Sequence, residues 1–238
     1  MSVITVVYNA GSLFRETLQS VAQQTHPDIE YVVIDGGSTD GTIELIEANL
    51  TNIDFFVSEK DKGIYDAMNK GIRASNGEWL IFLNAGDTFA SADTVEKCMQ
   101  ALGEDTEIVY GSAALNGPTI DRVLKPKQFN LGNLIFWGTR TLCHQSIFVN
   151  RSIVAEYDDS LRLKGELDWY FKLLKKVKTK PIRKNLVVCR YLLGGVGEQR
   201  LMQNAAETLK VLFANAGIFG VLGIPVLLYK ILATRFLR

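Results

Sequence analysis

The chain has 238 residues and a mass of 26.5 kDa, the size of one large α/β domain or of one domain with a short appendage. Because 47% of the residues are hydrophobic and 22% are charged, the chain can bury a full core, which excludes disordered and collagen-like proteins. Lys and Arg number 26, as do Asp and Glu, so the chain lacks the basic excess typical of nucleic-acid binders and we expect no nucleic-acid partner.

The first part of the chain alternates between predicted strands and predicted helices. Apolar, β-branched runs predict strands over 3–7, 31–34, 53–57 and 79–83, and helical spacing predicts helices over 12–24, 42–49 and 64–74. Ser12 is the predicted N-cap of the first helix, and Ser38 or Asp40 that of the second. This alternation is typical of a parallel sheet with right-handed crossovers.

Polar clusters follow three of these strands, at Tyr8-Asn9, 35–40 and 84–87. Ligands of parallel sheets bind beyond the carboxyl ends of the strands, so these clusters predict a ligand site. The cluster 35–40 lacks the Lys of a phosphate-binding P-loop, and the dinucleotide fingerprint G-x-G-x-x-G is missing after the first strand. An acid such as Asp87 at a strand end can bind Mg²⁺ or Mn²⁺, although Asn-Ala-Gly-Asp is also good turn material.

The second half is less regular. Strands are predicted over 108–113, 145–149 and 185–191, and a helix over 168–176. The stretch 211–229 contains 19 residues without a charge, close to the ~20 residues of a membrane span. Its glycines and one proline weaken a continuous helix, so three alternatives stay open: a span, a helix lying in the membrane interface, and a helix hairpin packed on the core.

The cysteines and the N-terminus indicate the compartment. Cys98, Cys143 and Cys189 are far apart in the sequence, which fits buried free thiols better than a zinc cage or a disulfide framework. The chain starts with a strand-like sequence and lacks the basic and long apolar regions of a signal peptide. We therefore expect a cytoplasmic protein, or one at the cytoplasmic face of the inner membrane.

Four motifs carry a family resemblance: TVVYNAG, EYVVIDGGSTDGT, VSEKDKGIYDAMNKGI and GEWLIFLNAGD, in this order. Together they resemble the nucleotide-binding half of family 2 glycosyltransferases, most of all bacterial enzymes of exopolysaccharide, colanic-acid and O-antigen assembly. The resemblance implies an α/β GT-A fold, with a mainly parallel central sheet flanked by helices. It also implies a nucleotide-sugar-binding half over 1–90, an acceptor half over 91–200 and a C-terminal helical segment over 201–238.

The resemblance implies a set of donor-binding residues: Val6, Tyr8, Asp35, Ser38, Asp61, Lys70, Asn84 and Ala85. Tyr8 would stack on the nucleotide base. Many relatives have two adjacent acids after the second strand, and the second of them contacts the base; here that place is Gly36. Base recognition would therefore fall to Asp35 or Asp61. Lys70 is either a donor-site cation or a solvated helix cation.

The same resemblance implies the metal and acceptor residues. Asp87 matches the last acid of the D-x-D-type motif and would bind Mn²⁺ or Mg²⁺, although Gly86 and Asn84 replace other acids of that motif. Asp168 matches the acid that deprotonates the acceptor, with Glu166 in reserve; for both, a helix-capping role is the alternative.

On the acceptor or diphosphate side the resemblance places His144, Gln145 and Arg200, with the glycines of 194–197 as hinges of a mobile loop. A structural role for His144 is the alternative. The expected function is inverting transfer from a nucleoside-diphosphate sugar, UDP-linked, to a hydroxyl of a lipid-linked saccharide in cell-surface polysaccharide synthesis. The alternative is a catalytically weak binding or scaffold subunit of a polysaccharide-assembly complex.

Overall fold

The computed structural model describes residues 1–100, 102–116, 122–192 and 201–226. The strands of this part are β1 (Ser2–Val7), β2 (Glu30–Asp35), β3 (Phe55–Ser58), β4 (Trp79–Phe82), β5 (Thr88–Phe89), β6 (Ile108–Asn116), β7 (Arg122–Leu124), β8 (Ile147–Asn150) and β9 (Ile182–Leu192). Its α-helices are α1 (Gly11–Ala22), α2 (Thr42–Glu47), α3 (Ile64–Ala74), α4 (Thr94–Met99), α5 (Leu131–Trp137), α6 (Gly165–Lys176) and α7 (Leu201–Ala216).

All nine strands belong to one sheet with the order β3-β2-β1-β4-β8-β6-β9-β5, and β7 pairs with β6. The strands β1 to β4 are parallel neighbours, as the sequence predicts, because helical crossovers return the chain to the same end of the sheet. The second half is mixed: β8 runs antiparallel to both β4 and β6, whereas β9 runs parallel to β6. The α/β class is confirmed, and the parallel character is concentrated in the first half.

Helices cover both faces of the sheet. Alternate side chains of a strand point to opposite faces, so Val3 and Val7 of β1 pack with α1, whereas Ile4 and Val6 belong to the cluster formed with α3 and α6. Trp169 of α6 is among the largest fully buried side chains. The sheet is therefore the middle layer of three, and its strand ends remain available for a site.

The start of α1 corrects one predicted cap. The helix begins at Gly11, and its N-cap position, Ala10, provides no side-chain cap. The neighbouring loop supplies the acceptors instead: Ala10 N–H donates to Thr42 Oγ1 at 3.2 Å and Gly11 N–H to Asp40 Oδ2 at 3.3 Å. Ser12 is thus not the cap. Neither Ser38 nor Asp40 is the N-cap of α2, which is Gly41 with a φ of 91°; Asp40, one residue earlier, accepts from the Thr42 N–H at 3.1 Å.

The C-terminal segment folds back on itself. Helix α7 ends at Ala216, and Gly217 has a φ of 54°, the left-handed conformation that terminates helices. A 3₁₀ turn over Gly217–Gly223 then returns along α7, since a Cβ at Gly220 would lie 3.0 Å from the Leu212 carbonyl oxygen. The stretch Met202–Val226 has the length and composition of a membrane-crossing helix. The bend at Gly217, however, divides it into α7 and a turn that packs back on α7, so it forms a hairpin.

Glu30 ties the starts of two strands together. Its carboxylate accepts hydrogen bonds from the Ser2 hydroxyl at 2.5 Å, the Asn76 N–H at 2.7 Å and the Gly77 N–H at 3.1 Å. Burial alone would raise the pKa of Glu30, but these hydrogen bonds hold it below its ordinary value. The carboxylate therefore joins β1, β2 and the segment leading into β4.

We expect Glu30→Gln to lower the free energy of unfolding at pH 7 by about 1–2 kcal/mol, the order of a hydrogen bond to a charged acceptor. A carboxylate with a lowered pKa stabilises the fold above its unfolded-state pKa and loses that contribution as the pH falls through its folded-state pKa. The difference between the variant and the wild type should therefore shrink below the ordinary Glu pKa of 4.5. Urea denaturation across this range measures it, with the exposed Glu16→Gln as control; a pH-independent difference would contradict the assignment.

Candidate active site

The three polar clusters meet at one edge of the sheet. Because β1, β2 and β4 are parallel neighbours, their carboxyl ends lie side by side. The Asn9 N–H donates to Ser38 Oγ at 2.8 Å, and the Thr39 N–H donates to Asn9 Oδ1 at 2.8 Å. On the other side of β1, the Ala85 N–H donates to the Val6 carbonyl oxygen at 3.4 Å. The predicted clustering of these segments is confirmed.

Asp35 shapes this edge from within. Its carboxylate is fully buried and accepts from the Gly37 and Ser38 N–H groups at 2.9 Å each, from the Ser58 hydroxyl at 2.6 Å and from the Ser38 hydroxyl. Four donors occupy the two oxygens, and Ser38 is itself buried. Asp35 and Ser38 thus hold the loop after β2, and a contact of Asp35 with the nucleotide stays a prediction.

Gly36 leaves room for the carboxylate of Asp61. A Cβ at Gly36 would lie 2.8 Å from Asp61 Oδ2 and 3.3 Å from Cδ2 of Tyr8. The Tyr8 ring is 66% exposed, as a ring that stacks on a ligand must be. Of the two candidates for base recognition, Asp61 is thus the one that lies beside Tyr8, with a side chain that is 11% exposed whereas Asp35 is fully buried.

Lys70 orients Asp61. Its ammonium group lies 2.5 Å from Asp61 Oδ1 and 2.9 Å from Glu59 Oε1, which leaves Oδ2 of Asp61 directed toward Gly36. Partial desolvation alone would lower the pKa of Lys70, but these two carboxylates raise it, so the group stays charged. Its side chain is only 17% exposed, so Lys70 is not a solvated helix cation.

Asp87 is a buried carboxylate at the end of the turn after β4. The Leu192 N–H donates to its Oδ1 and the Gln145 amide to its Oδ2, both at 2.9 Å. Burial raises the pKa of Asp87 to about 7, although these hydrogen bonds oppose the shift. The two hydrogen bonds therefore offset only part of the cost of burying the negative charge of Asp87.

The residues around Asp87 fit a hard divalent cation. Asn84 Oδ1, three residues earlier, is buried and has no hydrogen-bond partner in the part of the chain that the structure describes, and amide and carboxylate oxygens are ligands that Mg²⁺ and Mn²⁺ prefer. Gly86 has a φ of 96°, so the acid that relatives carry there would be strained. In the described ranges no three His, Cys, Asp or Glu side chains form a metal site, so most ligands of a cation here would come from a substrate or water.

A 3₁₀ turn at His144–Ser146 connects Asp87 with helix α6. Gln145 donates to Asp87, and the next residue, His144, has Nδ1 at 3.7 Å from Glu166 Oε1. Burial lowers the pKa of His144 although Glu166 opposes this, so the imidazole is neutral and the contact is no ion pair. His144 Nε2 is buried and has no hydrogen-bond partner among the described residues, so this junction between Asp87 and α6 keeps one unused polar atom; the acceptor-side role of His144 and Gln145 stays a prediction.

Glu166 and Asp168 lie on different sides of α6. The Glu166 side chain is 29% exposed beside His144, and its carboxylate makes no hydrogen bond within the described chain. Asp168 is buried: its Oδ1 accepts from the Asn215 amide at 3.0 Å, and its Oδ2 lies 2.8 Å from the Lys172 ammonium, without hydrogen-bond geometry. The structure thus places Asp168 against α7 and leaves the reserve residue Glu166 at the junction. Neither is the N-cap of α6, which is Lys164.

Two residues near α6, Glu207 and Lys164, belong to no motif that sequence analysis could recognise. The Glu207 carboxylate of α7 accepts from the N–H groups of Leu163 at 2.8 Å and Lys164 at 3.1 Å, where a helix start has free donors. Burial lowers the pKa of Lys164 although Glu166 and Glu207 oppose the shift. Lys164 thus adds a cation beside Glu166. The predicted Arg200 and the loop 194–197 lie outside the described residues.

Comparison with known sequences gives the family and close relatives. The family model described as Glycosyl transferase family 2 matches residues 2–158. A PGL/p-HBAD biosynthesis glycosyltransferase of Mycobacterium bovis BCG is 33% identical over 178 residues, which cover 72% of this chain and 68% of that protein. The family match covers the strand-end clusters around β1, β2 and β4.

Solved structures show the same fold. S. aureus TarS 1-349 in complex with UDP-GlcNAc has a TM-score of 0.72 at 14% identity; the match covers 89% of this chain but less than two thirds of TarS 1-349, 65%. The mannosyltransferase PcManGT from Pyrobaculum calidifontis, in complex with GDP-Man and Mn²⁺, has a TM-score of 0.66 at 16% identity and covers 98% of this chain and 74% of its own. At these identities the likeness concerns the fold.

Proposed function

Because this chain belongs to glycosyltransferase family 2, we propose that it moves a sugar from a UDP-linked donor to a hydroxyl of a lipid-linked saccharide, with inversion. One observation carries the proposal. The strand-end edge with Tyr8, Asp61 and Asp87 is joined through the turn at His144–Ser146 to Glu166, whose carboxylate makes no hydrogen bond among the described residues and lies 3.7 Å from His144 Nδ1. Direct transfer requires a donor-binding site and, close to it, a carboxylate that can accept the proton of the acceptor hydroxyl. Here the two lie on opposite sides of one turn.

The donor would lie along the strand ends. Tyr8 supplies an exposed ring for the base, and Asp61 Oδ2 supplies an acceptor for a ring N–H of the base. TarS with UDP-GlcNAc and PcManGT with GDP-Man are relatives in fold that hold such donors, and they differ in the base. We assign the base contact to Asp61 in place of the acid missing at Gly36.

A divalent cation, Mn²⁺ or Mg²⁺, would be held by Asp87 and the Asn84 amide oxygen, and when bound it supplies positive charge to the leaving diphosphate. The unpartnered Asn84 Oδ1 and the desolvated Asp87 carboxylate support this. Gln145 and the Leu192 N–H orient Asp87 for that role.

Glu166 would act as the general base. Its carboxylate accepts the proton of the acceptor hydroxyl while that oxygen forms a bond to the anomeric carbon and the bond from that carbon to the diphosphate oxygen breaks. Attack from the face opposite the diphosphate inverts the anomeric centre and needs no covalent enzyme intermediate.

The C-terminal segment supports the proposed lipid-linked acceptor and the proposed location of the protein at a membrane. Apolar side chains remain exposed on the turn Gly217–Gly223, and Lys230, Arg235 and Arg238 follow in the sequence. Such a segment suits the cytoplasmic face of a membrane, where a lipid-linked acceptor lies. A role in cell-surface polysaccharide assembly belongs to this proposal.

A donor screen tests the function. The purified chain is incubated with UDP-, GDP- and dTDP-sugars, Mn²⁺ or Mg²⁺ and a crude lipid extract, and the released nucleoside diphosphate is measured. We expect release from a UDP-sugar that requires both metal and lipid extract. No release from any donor, while the same donors still bind, would favour the alternative of a catalytically weak binding subunit.

We expect Asp61→Asn to raise the KM for the donor about tenfold with little change in kcat, because a base contact supplies binding energy equally in the ground and transition states. The matched control is Glu59→Gln, which removes the other, more exposed partner of Lys70. Gly36→Ala should resemble Asp61→Asn, since its Cβ would lie 2.8 Å from Asp61 Oδ2. Initial rates against donor concentration measure these changes, and an unaltered KM in Asp61→Asn would contradict the assignment.

A further inference from the structure

Helix α5 and the C-terminal turn expose an unusual amount of apolar surface. Trp137 is 42% exposed and Ile218 is 80% exposed. The two elements contact each other, since a Cβ at Gly223 would lie 2.8 Å from the Ile135 carbonyl oxygen. We name the exposed large side chains of both elements the α5–C-terminal face: Leu131, Phe136, Trp137, Ile218, Phe219 and Leu222.

The stretch of sequence that contains α5 is basic. Residues 122–155 contain five Lys and Arg and no Asp or Glu, although the whole chain has equal numbers of both signs. The Lys127 ammonium lies 3.9 Å from the centre of the Trp137 ring. The sequence beyond the described part, 227–238, adds three cations and no acid to an otherwise apolar stretch. Aromatic side chains with adjacent cations are the composition that anionic bilayer interfaces bind.

The face adjoins the acceptor side of the candidate site. Helix α5 runs into the turn Gly138–Thr141, and a Cβ at Gly138 would lie 3.9 Å from Leu167 Cδ2, the residue after Glu166. We propose that α5 is a second membrane contact, which inserts Phe136 and Trp137 into an anionic bilayer beside the C-terminal turn. This membrane contact would place Glu166, the proposed general base, next to the bilayer surface. Only the significance of that placement rests on the proposed function.

Tryptophan quenching tests the proposal on the full chain. Vesicles of phosphatidylglycerol and phosphatidylcholine carry brominated acyl chains, and neither donor nor acceptor is added, so the result is independent of transferase activity. The tryptophans are Trp79, Trp137 and Trp169, of which Trp169 is buried. We expect quenching in the wild type that is lost in Trp137→Phe, and none with pure phosphatidylcholine.

Vesicle sedimentation gives the second measurement. The double variant Phe136→Ser, Trp137→Ser should bind anionic vesicles about tenfold more weakly, since it removes two exposed aromatic side chains from the contact. The control Leu50→Ser, Phe55→Ser removes two exposed apolar side chains, one from the 3₁₀ turn before β3 and one from β3, and should bind like the wild type.

Three outcomes would overturn the proposal. Unquenched Trp137 in vesicle-bound protein would mean that residues 227–238 or another protein cover α5. A Trp137-dependent dimer in the absence of vesicles would make the face an interface between copies. Equal vesicle binding by the double variant and the wild type would assign the contact to the C-terminal segment alone. Failure of the donor screen with intact Trp137 quenching would instead reject the proposed function and leave the membrane contact standing.

Discussion

Glu166→Gln is expected to lower kcat for sugar transfer by about 10²–10⁴-fold, the contribution typical of a positioned general base. Gln has nearly the shape of Glu but cannot accept the proton of the acceptor hydroxyl. The side chain makes no hydrogen bond within the described chain and is 29% exposed, so the fold should tolerate the change. Donor binding should remain as in the wild type, because Tyr8, Asp61 and Asp87 are untouched. Single-turnover transfer and donor titration separate the two effects.

Asp168→Asn is the matched comparison, since it neutralises an acid two residues away on the same helix. It should lower the free energy of unfolding, because the buried side chain loses its ion pair with Lys172 and, while Asn Oδ1 still accepts from Asn215, Asn Nδ2 would face the Lys172 ammonium. Its kcat, measured where the variant is folded, should stay within a few-fold of the wild type. A large kcat loss in Asp168→Asn with little loss in Glu166→Gln would return the base role to Asp168.

The choice between these acids shows where the sequence stops being informative. Both stand at the start of one predicted helix, and residues two apart on a helix are separated by about 200°. Which of them faces the site depends on where His144 and α7 pack, and both are distant in sequence. The predicted helix starts at 168, whereas α6 starts at Gly165 and places Asp168 within its first turns. The long-range partner Asn215 has no signature in the sequence.

The strand-end edge was predictable because its causes are local. Apolar runs and helical spacing give β1, β2, β4 and α3, and parallel order then brings their polar ends together. The different environments of the two acids at this edge were not predictable from the sequence. Asp35 and Asp61 are both acids near glycines, yet the first is fully buried and accepts four hydrogen bonds, whereas the second is 11% exposed and pairs with Lys70. Which donors surround each acid is a property of the folded loop.

Asp87→Asn is expected to lower turnover of the donor by about 10²–10³-fold, the loss typical of removing one charge-stabilising group from a transition state. The change preserves shape. Asn Oδ1 can still accept from the Leu192 N–H, and the Gln145 amide can turn to present its oxygen to Asn Nδ2. What is lost is the negative charge that would hold a divalent cation at the leaving diphosphate.

Calorimetric titration of UDP at several Mn²⁺ concentrations distinguishes this loss from misfolding. The wild type should bind UDP more tightly as Mn²⁺ rises, whereas Asp87→Asn should bind weakly at all Mn²⁺ concentrations. Asp93→Asn is the control, because this acid lies six residues later and pairs with Lys97 at the protein surface. Metal-dependent UDP binding that survives in Asp87→Asn would move the cation away from the turn after β4. The buried, partly compensated Asp87 carboxylate would then need another explanation, with its two hydrogen bonds serving only to join β9 and the turn at His144–Ser146 to the sheet edge.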